Sequence, residues 1–193
     1  MATRSMHRRT PWLAALWCGA MLAGCGGGGD SPAEPTPGNP NQPPTASATC
    51  GFSDFAATAL ARVNQWRASG ANCGDHGQFG PAPAIAWSDR LTQAATAHSQ
   101  DMQANNFFSH TGSNQSTLAQ RVDATGYGWS SIAENIAAGQ TSIQGVVDGW
   151  MASPGHCANI MNPSFQHMGL ACVPGTSGNT YPTYWTMDLG RPG

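Results

Sequence analysis

Lysine is absent from this sequence, and charged residues of both signs are scarce. The basic side chains number 8, the acidic ones 10, and together they make up 9% of the 193 residues, with a formal net charge of -2 at pH 7. Such a chain has no basic surface with which to neutralise nucleic-acid phosphates. We therefore expect no nucleic-acid partner.

Several catalytic and metal-binding signatures are also missing. No C-x-x-C pair occurs, which argues against a structural zinc knot. There is no phosphate loop, dinucleotide fingerprint or His-Glu-x-x-His helix. The segment from Met151 to Gly155 has Ser153 at its centre but lacks the first glycine of a nucleophile elbow. These absences argue against nucleotide chemistry and against serine hydrolases of the elbow type.

The N-terminal segment has the layout of a secretory signal. Arg4, Arg8 and Arg9 precede the apolar run 12–17, and small residues follow as far as Gly24. A membrane-spanning helix needs about 20 apolar residues, so this run is too short to cross a bilayer. We therefore expect the chain to be exported.

The stretch 22–25, Leu-Ala-Gly-Cys, resembles a lipobox, the site at which a lipid is joined to a cysteine sulfur before cleavage. Two or more acyl chains make membrane anchoring stable, whereas one chain is marginal. The predicted anchor is therefore Cys25, which makes the membrane a partner and the cell envelope the location. Gly26 favours the outer membrane over the inner one. The alternatives are an ordinary signal peptide cut near Ala23, or a buried structural cysteine.

The composition divides the chain into three parts. Residues 1–24 are the predicted lipoprotein signal peptide, and residues 25–49 are the lipidated cysteine followed by a Gly/Pro-rich tether. The tether has too few aliphatic side chains to offset the entropy of ordering, so we expect it to be disordered. Residues 50–193 have the length of one ordinary domain.

Four cysteines remain in the predicted domain, namely Cys50, Cys73, Cys157 and Cys172. In an oxidising compartment they are expected to form two disulfides, for which three pairings are possible. We favour Cys157–Cys172, because a loop of about 15 residues is worth roughly 3 kcal/mol in the chain-entropy model. The pair Cys50–Cys73 then follows by elimination, although a helix lies between the two.

Apolar periodicity and capping residues predict four helices. The first follows Ser53 and ends before Gly70, and the second follows Ser88 and places His98 on its apolar face. The third spans about 117–125, and the fourth spans about 142–152, where Ser153-Pro154-Gly155 ends it.

Three β-compatible stretches complete the domain, namely 132–138, 168–173 and 183–189. Helices arranged around a small antiparallel sheet make an α+β domain, for which we expect layers of helix, sheet and helix.

The order of landmarks along residues 50–193 resembles the CAP superfamily, or SCP domain, which includes cysteine-rich secretory proteins, antigen 5 and class 1 pathogenesis-related proteins. The motifs that carry the resemblance run through nearly the whole domain: Val63-Asn64, Arg67, Ala94-Ala95, His98, Asp101-Met102, Phe108-Ser109-His110, Arg121, Gly126-Tyr127, Glu134-Asn135-Ile136-Ala137, Trp150 to His156, Asn159-Ile160-Met161 and Gly169. The resemblance implies a three-layer α-β-α sandwich with a central cleft.

The resemblance also implies a cleft lined by His110, Glu134 and His156. Two imidazoles and a carboxylate form a known catalytic zinc set, so the predicted cofactor is a divalent metal, zinc foremost. The family's second acid has no clear counterpart, and only Asp148 lies near the corresponding tryptophan, Trp150. Each of the three residues also has a plainer explanation, since the histidines could be capping residues and the carboxylate could bind backbone amides.

The helical phase of His98 predicts a core residue rather than a ligand, and His167 is expected to be exposed or packed. Ser109, Arg121 and Asn135 could orient the cleft or satisfy backbone groups.

Three functions are compatible with these features. The first is an envelope-anchored module that binds a small molecule, a lipid or another envelope component in the cleft. The second is a metal-dependent hydrolase, in which Glu134 would serve as general base. The third is a structural or adhesive surface protein with a vestigial cleft. Binding is favoured over catalysis by analogy with the family, and the hydrolase would require a tightly held metal.

Overall fold

The computed structural model describes residues 48–193. The predicted signal peptide, the lipidation site Cys25 and the tether as far as residue 47 lie outside the described residues. The last two tether residues, Ala48 and Thr49, are buried, and Thr49 forms a parallel bridge with Cys172. Within residues 48–193, every helix is too short or too polar to cross a membrane.

Five helices occur in the described part of the chain: α1 Phe55–Ser69, α2 Asp89–Ala104, α3 Leu118–Ala124, α4 Ile143–Met151 and α5 Pro154–Met161. The predicted cap of α2 is present, since Ser88 accepts a bond from the Leu91 amide. A capping box between Thr117 and Gln120 begins α3. Helix α1 follows Asp54 rather than Ser53 and has no side-chain cap.

Helix α5 is absent from the sequence prediction. Pro154 does end α4, but it also occupies the first turn of the next helix. Proline is favoured there because its fixed φ suits a helix and its missing N–H has no intrahelical partner in any case. Consequently the segment after Ser153 is helical, and it carries His156 in its first turn.

The described strands are β1 Ala71–Asn72, β2 Gln78–Phe79, β3 Ala86–Trp87, β4 Trp129–Ala138, β5 His167–Pro174 and β6 Thr183–Pro192. The main sheet has the order β3-β5-β6-β4, in which β6 is antiparallel to both neighbours and β3 is parallel to β5. The short β1-β2 hairpin encloses a 3-10 turn, Gly74–His76. The predicted α+β sandwich is therefore confirmed, with one short parallel strand added to the sheet.

The two faces of the sheet pack differently. On one face, α1, α4 and α5 cover a large apolar core that includes Met168, Leu170 and Met187. On the other face, α2 lies against β5 and β6. A Cβ atom at Gly169 would collide with the backbone of Leu91 and Thr92, so glycine is what allows α2 to lie this close to the sheet.

Both predicted disulfide pairs are wrong. The disulfides join Cys50 to Cys172, with Cα atoms 5.3 Å apart, and Cys73 to Cys157, with Cα atoms 5.4 Å apart. Helix α1 is about 22 Å long at 1.5 Å per residue, and it separates Cys50 from Cys73. The bridge of Thr49 to β5 instead places Cys50 beside Cys172, and its amide donates to the Cys172 carbonyl at 3.0 Å. Cys157 lies in α5, and α5 packs against the 3-10 turn that follows Cys73. This packing brings Cys157 to Cys73.

A buried arginine ties α1 to the end of α5 and to the chain beyond it. The Arg67 guanidinium donates to the backbone carbonyls of Pro83, Ile160, Asn162 and Phe165 at 2.6–3.0 Å. Burial lowers the pKa of Arg67, but arginine stays protonated in proteins. These bonds hold the far end of the helix that carries His156.

Candidate functional site

Three parts of the fold bring the predicted cleft residues together. His110 lies in the loop between α2 and α3, Glu134 lies in β4, and His156 lies in the first turn of α5. The Nδ1 atom of His110 is 2.8 Å from Oε1 of Glu134. His156 is close enough to His110 for a charge there to act on its pKa. The fold thus unites residues that are up to 46 positions apart in sequence.

The centre of the site is the buried carboxylate of Glu134. Its Oε2 accepts a bond from Arg121 Nη2 at 2.7 Å, and its Oε1 is bound by His110. Burial acts to raise the pKa of Glu134, but the bond from His110 and the charge and hydrogen bond of Arg121 act in the opposite direction, and the net effect is that this pKa is lowered. Glu134 is therefore ionised at neutral pH, and both of its oxygens are engaged.

The ionised carboxylate fixes the tautomer of His110. A carboxylate can only accept, so His110 Nδ1 must carry the proton of their shared bond. The backbone of His110 is held as well, because Arg121 Nη2 donates to its carbonyl at 3.1 Å. In neutral His110 the free lone pair is therefore on Nε2, and the side chain is 58% exposed. This nitrogen can accept a proton, bind a ligand donor or bind a metal.

A third histidine lies beneath this pair. As predicted, His98 is fully buried on the inner face of α2. Its Nε2 lies 2.8 Å from the carbonyl of Ser109 and 3.8 Å from Glu134 Oε1. Burial lowers its pKa, and the opposing effect of Glu134 does not cancel that shift. We conclude that His98 is neutral and supports the His110 loop through Ser109.

Two hydrogen-bonded asparagine side chains hold the backbone of His156. Asn135, next to Glu134, donates to the His156 carbonyl at 3.2 Å and accepts from Asn159 at 2.9 Å. Burial, followed by the proximity of His110, lowers the pKa of His156. His167, in contrast, lies away from these residues and shares a 2.8 Å bond with the Tyr127 hydroxyl.

Asp148 is not part of the cleft. Its carboxylate binds Arg62 and the indole of Trp66 on the outer side of α1 and α4. A different acid, Asp188, lies beside Glu134, because the two are paired residues on β6 and β4. Its strand looks like ordinary sheet core in the sequence, so only the register of β4 against β6 reveals it.

The predicted three-ligand zinc set does not fit the described residues. Between residues 48 and 193, no three His, Cys, Asp or Glu side chains converge in a way that could hold a metal ion. Glu134 already binds Arg121 and His110, which leaves only imidazole nitrogens as free donors. Zinc sites in proteins usually have three or four protein ligands. Metal binding therefore stays a prediction, and no chemical step is derived from it.

A cavity of about 350 Å³ opens beside His156. Its lining includes β4 residues 136–138, Gln140, Trp150 and Ser153. Phe108 and Tyr181 line the cavity as well, with ring centroids 5.9 Å apart. Phe108 is the large apolar side chain most exposed among residues 48–193, at 44%. No lysine, arginine, aspartate or glutamate lines the cavity.

Two Bacillus subtilis proteins resemble this chain in sequence. YkwD is 38% identical over 85 residues, which is 44% of this chain and 33% of YkwD. The membrane protein YlbC is 30% identical over 86 residues, which is 45% of this chain and 25% of YlbC. The matched regions thus span about a third and a quarter of these relatives.

Solved structures show the same fold. An extracellular SCP-domain protein from Bacillus anthracis has a TM-score of 0.55 at 24% identity, covering 78% of this chain and 45% of that one. An outer surface protein from Borrelia burgdorferi has a TM-score of 0.52 at 20% identity, covering 58% of this chain and 80% of that one. A cysteine-rich secretory protein from Staphylococcus aureus has a TM-score of 0.52 at 13% identity, covering 70% of this chain and 38% of that one.

The family model described as CAP, the cysteine-rich secretory protein family, matches residues 60–189, which is well over half of the chain and includes all three cleft residues. The chain therefore belongs to the cysteine-rich secretory protein (CAP) family.

Proposed function

We propose that this CAP domain is a binding module of the cell envelope whose cavity holds an uncharged ligand beside His110 and His156. The observation that carries the proposal is a cavity that has no lysine, arginine, aspartate or glutamate in its lining and that is lined by His156, the neighbour of His110. Ligand sites are typically concave and mostly apolar, with a few placed polar groups. The imidazole of His156 supplies such a group.

The lining indicates the chemistry of the ligand. Gln140, Ser153 and His156 offer neutral hydrogen-bonding groups, while Phe108 and Tyr181 offer aromatic surface. Fully burying an apolar side chain of this size contributes about 1.5–3 kcal/mol, so covering the exposed part of Phe108 would favour binding. A sugar unit, which has an apolar face and a hydroxyl-bearing edge, matches this combination. We therefore place the uncharged sugar units of an envelope glycan first among the ligands.

The proposed location is outside the cytoplasm, with the domain held at a membrane through Cys25. Two disulfides support export, because such bonds persist in oxidising compartments. The similar proteins described as extracellular or as an outer surface protein support the same location. We expect metabolic labelling with a radioactive fatty acid to mark the natural chain and to leave Cys25→Ala unlabelled. Equal labelling of the two would refute the anchor.

The binding proposal can be tested by nitrogen-15 NMR on the purified chain with three probes. These are neutral oligomers of N-acetylglucosamine, phospholipid vesicles and zinc chloride. We expect the sugar oligomers to shift the resonances of Phe108, Ser153 and His156. The same probe should have little effect on Phe108→Ala, which removes the exposed ring.

A matched control is Phe52→Ala, because Phe52 stacks on Trp185 and does not line the cavity. This variant should bind the sugar as the natural chain does. Shifts caused only by vesicles would replace the glycan with a lipid ligand. If no probe affects the cavity residues, the glycan proposal fails and the structural or adhesive role gains support.

Hydrolysis with Glu134 as general base is not supported by the geometry. A general base needs a free oxygen within hydrogen-bonding reach of the water it activates. Both Glu134 oxygens are engaged, and the residue is buried.

A further inference from the structure

The site contains a second carboxyl group that the binding proposal does not use. Asp188 lies in β6, is fully buried, and pairs with Glu134 on one side and with Gly169 on the other. Gly169 faces α2, so Asp188 and Glu134 also lie between the sheet and α2. Because Gly169 has no side chain, the neighbouring position on β5 offers Asp188 no partner.

No donor lies within hydrogen-bond reach of the two Asp188 oxygens among residues 48–193. The bonds of Arg121 go to Glu134 and to the carbonyls of His110 and Ser116, and its buried Nε does not reach Asp188 either. His98 Nε2 is paired with the Ser109 carbonyl. A buried carboxylate in such a place would lose its hydration without compensation, which strongly disfavours the charged form.

Protonation removes this cost. Burial, and then the negative charge of Glu134, raises the pKa of Asp188 well above its usual range, although Arg121 acts in the opposite direction. The neighbour within reach is the Glu134 carboxylate, and two carboxyl groups can share a hydrogen bond only when one of them holds the proton. Since Glu134 is held ionised by His110 and Arg121, the proton belongs on Asp188.

We propose that Asp188 is the second acid of the cleft, a positioning residue that keeps its proton and donates it to Glu134 in a hydrogen bond. Glu134 then accepts from Asp188, Arg121 and His110, which fixes its orientation. The carboxylate in turn holds His110 with Nδ1 inward and Nε2 toward the solvent. The two carboxyl groups together carry one negative charge. This inference concerns the support of His110 and does not depend on which ligand the cavity binds.

The proton on Asp188 can be observed directly in the natural chain. Carbon-13 labelling of aspartate should give a carboxyl resonance for Asp188 that is typical of the protonated acid at neutral pH, where an aspartate with an ordinary pKa is ionised. The ionisable groups that face Asp188 are Glu134 from β4, Arg121 from α3 and His98 from α2. A resonance typical of the ionised form at neutral pH would overturn the proposal.

Substitution separates protonation from a purely structural role. Asp188→Asn keeps the shape and still has N–H groups to donate to Glu134. Its unfolding midpoint in urea, relative to the natural chain, should increase as the pH rises above about 4, because only the natural chain must keep a proton on residue 188 when it folds. Asp148→Asn is the matched control and should show no such increase. A difference that does not vary with pH would contradict the proposal.

The positioning role has its own readout in the imidazole nitrogen resonances of His110. Asp188→Leu offers no donor and should alter these resonances, whereas Asp188→Asn should restore those of the natural chain. If Asp188→Leu does not fold, the carbon-13 measurement on the natural chain still decides the protonation state. If both variants fold and give the same His110 resonances, Asp188 has no positioning role.

Discussion

The ion pair Arg121–Glu134 provides a quantitative test of how the cleft is held together, because the same domain contains a matched pair on its surface. The shortest contacts are 2.7 Å for Arg121–Glu134 and 2.6 Å for Arg62–Asp148. The side chains of the first pair are 7% and 3% exposed, and those of the second are 25% and 41% exposed. The two pairs therefore differ in burial, while each carboxylate has one further hydrogen-bond partner, His110 for Glu134 and Trp66 for Asp148.

We expect Glu134→Gln to lower the free energy of unfolding by about 3–5 kcal/mol, because it leaves the buried guanidinium of Arg121 without a counter-ion. Asp148→Asn should cost only about 0.2–1 kcal/mol, because water screens an exposed pair. The double variant Arg121→Met with Glu134→Gln should recover part of the loss, since it removes the unpaired charge.

The assay is urea unfolding of the purified chain with both disulfides intact, at about 0.15 M salt, where screening is moderate. Single and double variants of each pair give the interaction energy within the pair. Equal costs for Glu134→Gln and Asp148→Asn would refute the reasoning. The same conclusion would follow if the double variant were less stable than either single one.

Three further predictions concern the packing and the charge of the domain. Gly169→Ala should lower the free energy of unfolding by about 3 kcal/mol, because the added Cβ atom would collide with the α2 backbone. The control Gly149→Ala lies in a helix with open space around its Cβ position and should raise the free energy of unfolding by about 0.5–1 kcal/mol. Thermal unfolding compares the two variants, and similar effects would contradict the close packing of α2 on the sheet. Arg67→Met should cost about 4 kcal/mol or more, because four backbone carbonyls lose a charged donor. A cost below about 1 kcal/mol in urea unfolding would show that Arg67 does not hold these segments together. Because the pKa of Glu134 is lowered, ionised Glu134 stabilises the fold at pH values above its pKa in the unfolded chain, about 4.3, and this stabilisation is lost as the pH falls through the lower pKa of the folded chain. The difference in the free energy of unfolding between the natural chain and Glu134→Gln should therefore shrink below about pH 4. A difference that grows there would contradict this assignment.

Local features can be predicted from the sequence because their causes lie within a few residues. Ser88 begins α2 as expected, because a serine side chain can accept from an amide three positions later. Pro154 correctly predicts the end of α4, but the same fixed φ also favours the start of a helix. A proline therefore marks a boundary without specifying the conformation of the next segment, and for this reason α5 is missing from the prediction.

The disulfides and the inner layer of the cleft could not be predicted because they depend on contacts between distant segments. The predicted bond Cys157–Cys172 relies on a short loop, whereas the actual partner of Cys172 is set by the bridge of Thr49 to β5. The proximity of Asp188 to Glu134 depends on the register of β6 against β4. A shift of one residue in that register would move every side chain of the strand to the opposite face.

The residues of the outer cleft are predicted by resemblance rather than by spacing. His110 and Glu134 meet in the structure as that resemblance implies. Asp148 is the acid nearest to Trp150 in sequence, but its helical phase directs it to Arg62 on the outer surface. Only the packed structure distinguishes an acid that is close in sequence from one that is close in space.

The central claim is that His110, fixed by Glu134, stands next to His156 at a cleft open to solvent. Nitrogen-15 NMR of the imidazole rings in the purified chain tests it most directly. We predict that neutral His110 carries its proton on Nδ1, and that His110→Ala shifts the imidazole resonances of His156. A neutral His110 protonated on Nε2, together with His156 resonances that do not change in His110→Ala, would contradict the claim.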